Sequence, residues 1–166
     1  MHLIIVRYLH FSLLLLAVSF GINASPDLKR INLIVSDLDR SLEIYRDVVG
    51  MEVFEIKSST RGSYAYKVFY LPEDAKMRFA SLNVGSKSRG FSLTEIKNTE
   101  LPSLDGIKMT TAVIQVEGLR EIYKQIADMN LNSTAIDEDL TPEGEKFAEF
   151  SFTDYDGHLV VLYELK

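Results

Sequence analysis

Val35-Ser36-Asp37-Leu38-Asp39-Arg40-Ser41-Leu42-Glu43-Ile44-Tyr45-Arg46-Asp47-Val48-Val49-Gly50-Met51 is the stretch on which the reading of the fold turns. Ser36 and Asp39 have capping-box spacing, and Asp37 is an equally good N-cap. Leu38, Leu42, Tyr45, Val48 and Val49 then fall on one helical stripe. Gly50 suits the left-handed residue that ends a helix. The apolar run Ile31 to Val35 before this helix reads as a buried strand, and Met51 to Ile56 after it as a second.

Further along, Lys57 to Ser63 reads as a loop. Tyr64 to Leu71 and Met77 to Val84 read as strands joined by a turn at Pro72-Glu73-Asp74. Gly85 to Gly90 reads as a loop, and Phe91 to Ile96 as another strand. Leu101 to Gly106 is the best linker candidate, and after it the plan restarts. Thr110 to Val116 is a strand, and Leu119, Ile122, Tyr123 and Ile126 mark a second amphipathic helix. Leu131 to Ile136 is a further strand candidate, and Asp137 to Glu145 an acidic loop. Phe147 to Phe152 and Leu159 to Leu165 are strands joined by the turn Asp154-Tyr155-Asp156-Gly157. A constant offset lays Val35 on Val116, Leu38 on Leu119, Leu42 on Tyr123 and Tyr45 on Ile126. A strand, a helix and several strands, occurring twice, point to an internal repeat.

At the N-terminus, Arg7 precedes an almost wholly apolar Phe11 to Phe20, and Gly21-Ile22-Asn23-Ala24 follows with small or turn-forming residues. This is the layout of a secretory signal peptide, with removal of residues 1–24 expected. The apolar run is short for a membrane span. The expectation is a periplasmic or secreted protein, free of the membrane after cleavage. Cleavage removes one cation and no acid, so the mature chain is one unit more negative than the −6 of the whole sequence. That charge, with no basic cluster, argues against nucleic acid or an anionic membrane as partner. Cleavage also removes two of the three histidines, leaving His158. There is no cysteine, which excludes disulfides, thiol nucleophiles and zinc–thiolate sites. The 166 residues, 46% hydrophobic and 25% charged, suffice for one folded domain.

The stretch Val35 to Met51 resembles the opening of a vicinal-oxygen-chelate module, the superfamily of glyoxalases, bleomycin-resistance proteins and extradiol dioxygenases. Ile44 stands where the family usually has Phe, and Val49 where it has Leu. Phe152 to His158 is similar to the family's Asp-Pro-Asp-Gly hairpin, with Tyr155 in place of Pro. The resemblance covers about residues 28–166. It implies an α+β fold of two βαβββ modules, about 28–100 and 107–166, whose curved mixed sheets form a cup with the helices outside. Residues alternate along each strand between the cup and the helix side.

The resemblance also implies where a metal would sit. In metal-binding members the ligands are His or Gln on the first strand of each module and Glu or His on the last, a set suited to Zn, Ni, Fe or Mn. Carried over, the first-strand positions are Arg30 and Thr111. The last-strand positions are Val161 in module two and, in module one, Glu95 or Thr94, depending on the register of that strand. A guanidinium cannot ligate a metal, and valine is no ligand. No cofactor is therefore expected, with a divalent metal as the less favoured alternative. An Arg30–Glu95 ion pair in the vacated site is expected if Glu95 faces the cup. Asn32, Gln115 and Tyr163 join Arg30, Glu95 and Thr111 as cup-facing candidates for ligand binding. His158 reads as a solvent-facing residue at the rim.

Three functional readings follow. The first is a metal-independent binder of a small molecule, with a homodimer as the expected assembly. The second is an enzyme of the glyoxalase or dioxygenase type, a lyase or isomerase before a dioxygenase. The third is a structural or interaction domain whose cup is filled by core side chains. Fold alone does not choose among them.

Overall fold

The computed structural model describes residues 26–166. The signal peptide expected at residues 1–24 lies outside the described residues. Among those that are described, no helix is long and apolar enough to cross a membrane.

Module one runs β1 (Ile31–Val35), α1 (Leu38–Leu42), β2 (Glu52–Ser58), α2 (Tyr64–Val68), β3 (Lys76–Val84) and β4 (Lys87–Lys97). Module two runs β5 (Thr111–Gln115), α3 (Leu119–Asp128), β6 (Asp137–Leu140), β7 (Lys146–Thr153) and β8 (Leu159–Leu165). Each module forms one four-stranded mixed sheet, ordered β1-β4-β3-β2 and β5-β8-β7-β6. In both, the first strand runs parallel to the last and the other pairings are antiparallel. The repeat is therefore real at the level of topology.

Asp37 caps α1, its carboxylate accepting from the Arg40 amide at 3.0 Å. After Leu42 the helix widens into a π-helical segment, Glu43–Val48. That widening turns Ile44 inward beside Tyr45, so both are fully buried. A regular helical stripe does not select Ile44. The helix-side faces of both sheets share one core with Leu38, Leu42 and Tyr45 from module one and Leu119, Ile122 and Ile126 from module two. α3 touches the π-helical segment that follows α1, and α2 covers one end of the opposite face of the first sheet.

Three sequence expectations give way. Tyr64 to Leu71 is not a strand: Ser63 caps α2, and Ala65, Tyr66 and Phe69 on one side of it pack against Met77 and Ile96. The alternating tyrosines imitate a strand period. The loop Gly85 to Gly90 is instead a tight turn, with β4 already begun at Lys87. Leu131 to Ile136 makes only an isolated bridge, Ser133 to Phe152, while the strand is β6, inside the supposed acidic loop. β6 is an exposed edge strand held by backbone pairing to β7, so its side chains carry no apolar alternation.

Candidate functional site

The open face of module one has a polar floor. Asn32 pairs with Ser92 across β1 and β4, and Ser92 with Ser81 across β4 and β3. Asn32 Oδ1 accepts from Ser92 Oγ at 2.6 Å and from Thr94 Oγ1 at 2.7 Å. Two hydroxyls thus fix the amide oxygen and leave the Asn32 amide nitrogen as the outward donor. Ser81 is fully buried, and its hydroxyl has no hydrogen-bond partner. In a folded protein such a group is an exception. Next to Asn32 a pocket of about 940 Å³ opens between β1, the inter-module linker and the β7–β8 turn. Its walls include Ile34, Leu104, Lys108, Asp156 and His158. Its size lies within the range of small-molecule sites.

The β7–β8 turn that lines this pocket also forms the seam between the modules. Tyr45 donates to Asp154 Oδ2 at 2.7 Å, and Asp154 Oδ1 accepts from the amides of Asp156 and His158. Asp156 Oδ1 accepts from the Ser36 amide at 3.0 Å. Its other oxygen is buried without a partner. Arg40 lies over the Tyr155 ring, 4.6 Å from its centroid. His158 is half-buried, and its Nε2–H donates to the Ile34 carbonyl at 2.7 Å. The solvent-facing His158 expected from sequence is thus corrected: its ring ties the terminal hairpin to β1. Burial and the Asp154 carboxylate push the Tyr45 phenol well above the ordinary tyrosine range.

The register of β4 is decided by its partners. Thr94 shares the open face with Asn32, and Glu95 lies on the helix side beneath α1. Glu95 is 8% exposed, and its Oε2 accepts from the Leu38 amide at 2.8 Å and from Arg78 at 3.2 Å. The expected Arg30–Glu95 ion pair is therefore absent. Arg30, half-buried just before β1, instead acts through space on Glu55 of β2. Glu55 has its pKa lowered chiefly by its hydrogen bond with Lys57, with Arg89 and Arg30 adding to it. In module two, Thr111, Gln115 and Tyr163 share the open face of β5 and β8. Tyr163 donates to Gln115 Oε1 at 3.1 Å, and Thr111 Oγ1 to the Leu159 carbonyl at 3.0 Å. Of the six candidates, Asn32 lines the large pocket, whereas Arg30, Glu95, Thr111, Gln115 and Tyr163 are not among its walls.

The same pairing corrects the fourth metal position. Thr111 lies opposite Leu159, two residues before Val161, so the equivalent of Val161 next to Arg30 is Ser92. Neither Thr94 nor Glu95 occupies it. The four positions are Arg30, Ser92, Thr111 and Val161, with no imidazole or carboxylate among them. Among the described residues no three His, Cys, Asp or Glu side chains gather where they could hold a metal ion. This donor set does not fit a transition metal. Glu95 has a counterpart in Glu164, whose Oε1 accepts from the Gly118 amide at 2.5 Å at the start of α3. The repeat has kept a carboxylate in each module to satisfy a helix N-terminus.

Residues 27–162 match the family described as Glyoxalase/Bleomycin resistance protein/Dioxygenase superfamily, and the chain belongs to it. No curated protein sequence matches. Solved structures share the fold. A glyoxalase family protein from Bacillus cereus superposes with a TM-score of 0.68 at 14% identity, over 89% of this chain and 99% of its own. The fosfomycin resistance protein FosX from Listeria monocytogenes, solved with Mn(II) and sulfate, gives 0.51 at 21% identity, over 83% and 91%. The trypanothione-dependent glyoxalase I of Leishmania major gives 0.53 at 23%, over 84% and 87%.

Proposed function

We propose that this is an exported, metal-independent protein that binds a small polar molecule in the pocket beside Asn32. The observation that carries the reading is the Asn32 amide, clamped by Ser92 and Thr94 so that its nitrogen is free to donate, at the wall of a cavity of about 940 Å³. Fixing the amide in advance lowers the entropy lost on binding. A thermal-shift screen of small polar metabolites tests this. Stabilising compounds should lose their effect in Asn32→Ala and weaken in Lys108→Ala. A screen without stabilisers, or stabilisation untouched by either change, would reject the pocket as the site.

The reading as a structural domain draws support from one feature only. Ala65, Tyr66, Phe69 and Leu101 pack over Met77 and Ile96, filling the far end of the open face of module one. The remaining space beside Asn32 favours a binder. Export is argued from Arg7, the apolar Phe11 to Phe20 and Ala24. N-terminal sequencing of the native protein should begin at or near Ser25, and a mature chain retaining Phe11 to Phe20 would refute it. A homodimer is proposed as well, because Val113 is 58% exposed on the open face of module two. Light scattering should give twice the chain mass, falling to one in Val113→Glu; a monomeric wild type would refute it.

A further inference from the structure

A second cavity, of about 710 Å³, lies beside α2, away from the walls of the pocket at Asn32. Arg61 and Lys67 line it with Tyr66, Tyr70, Leu71 and Glu73. Neither cation forms a salt bridge among the described residues. In a chain of net charge −6, this pocket has more cations than carboxylates.

Its aromatic wall is built in an unusual way. α2 ends in a Schellman motif: the Leu71 amide donates to the Tyr66 carbonyl at 2.8 Å and the Tyr70 amide to the Lys67 carbonyl at 3.3 Å. This places Tyr70 at the left-handed position, φ 54°, where glycine is the usual residue. Arg89, Asn98 and Asn130 hold the same conformation elsewhere; asparagine does so readily and Arg89 sits near the start of β4, beside the β3–β4 turn, but a bulky ring there is strained. The ring gains nothing from the fold in return, since Tyr70 is 94% exposed. Tyr66, by contrast, is fixed: its hydroxyl donates to the Ala75 carbonyl at 3.1 Å and its ring packs toward Met77 and Ile96. A strained, uncovered ring on the same cavity as a fixed ring and two unpaired cations is an arrangement that ligand contact explains and packing does not.

We propose that this cavity is a second binding site, for a carboxylate carried on a flat aromatic ring. The Arg61 guanidinium offers the two-pronged donor geometry that carboxylates accept, Lys67 adds a point charge, and Tyr66 and Tyr70 receive the ring. The site is independent of the one at Asn32.

Calorimetric titration of the full-length chain with 2-naphthoate tests the proposal, with the neutral 2-naphthamide as the matched control. Expected is saturable one-to-one binding, weakened about tenfold or more for the amide and in Arg61→Ala. Tyr70→Gly should weaken it several-fold while leaving the melting temperature equal or higher, because glycine relieves the left-handed strain. Asn32→Ala should leave it unchanged. No saturable binding at millimolar 2-naphthoate, equal binding of the amide, or full affinity in Arg61→Ala or Tyr70→Gly would overturn the proposal.

Discussion

The Tyr45 phenol in module one donates a 2.7 Å hydrogen bond to Asp154 Oδ2 in module two, and both groups are buried. The bond joins the helix of the first repeat to the terminal hairpin of the second. Tyr45→Phe keeps the ring and strands a buried carboxylate oxygen, so it should cost about 1–3 kcal/mol in denaturant unfolding. An unchanged midpoint would show that the oxygen finds water or another donor.

The same phenol sets an alkaline limit. Its pKa in the fold is raised, by burial first and then by Asp154, so the protonated form is the stabilised one. Its contribution is complete below the unfolded tyrosine pKa of about 10 and is lost as pH rises from there through the higher folded value. Melting temperature should fall above about pH 10 more steeply in the wild type than in Tyr45→Phe. Parallel curves for the two proteins would contradict this.

Leu42 and Ile122 are buried on the two helices in one shared core. Leu42→Asp and Ile122→Asp should each abolish folding of both modules together, since an unpaired buried carboxylate costs several kcal/mol, comparable to the stability of a domain. A normal melt, or one module surviving the loss of the other by circular dichroism, would show that the modules are independent.

Glu95 and Glu164 perform the same task in different surroundings. Glu95→Gln leaves the Leu38 amide an acceptor but removes the charge facing Arg78 in a buried setting, so it should cost about 1–3 kcal/mol. Glu164→Gln, on β8 with its carboxylate at the exposed start of α3, should cost less than about 1 kcal/mol. Chemical unfolding of the two variants checks the order, and a reversed order would contradict the burial argument.

Periodicity revealed the elements whose side chains face a core: the stripe from Leu38 to Tyr45, the stripe from Leu119 to Ile126, and the long strands. It misread α2, where Tyr64, Tyr66, Val68 and Tyr70 alternate as a strand would, although Ser63 was available as a cap. It missed β6, whose Asp137 to Leu140 pair through the backbone and bury nothing. In the site, Asn32 was visible because alternation along β1 fixes its face. Ser92 and Ser81 were not, because a serine on a mixed strand looks the same from either side. The bonds from Tyr45 to Asp154 and from His158 to the Ile34 carbonyl join residues more than a hundred positions apart in sequence, which no local pattern encodes.

We propose that this member of the superfamily binds its ligand without a transition metal, because Arg30, Ser92, Thr111 and Val161 stand at the four donor positions. Metal content of the native protein, combined with melts in Zn, Ni, Mn and Fe(II), tests it most directly. A true site at a hundredfold excess over its dissociation constant would stabilise the fold by about 2.7 kcal/mol, readily seen in a melt. Metal well below one equivalent per chain is expected, with no shift in melting temperature from any of the four ions. One equivalent per chain, with stabilisation lost in Thr111→Ala or Ser92→Ala, would contradict it.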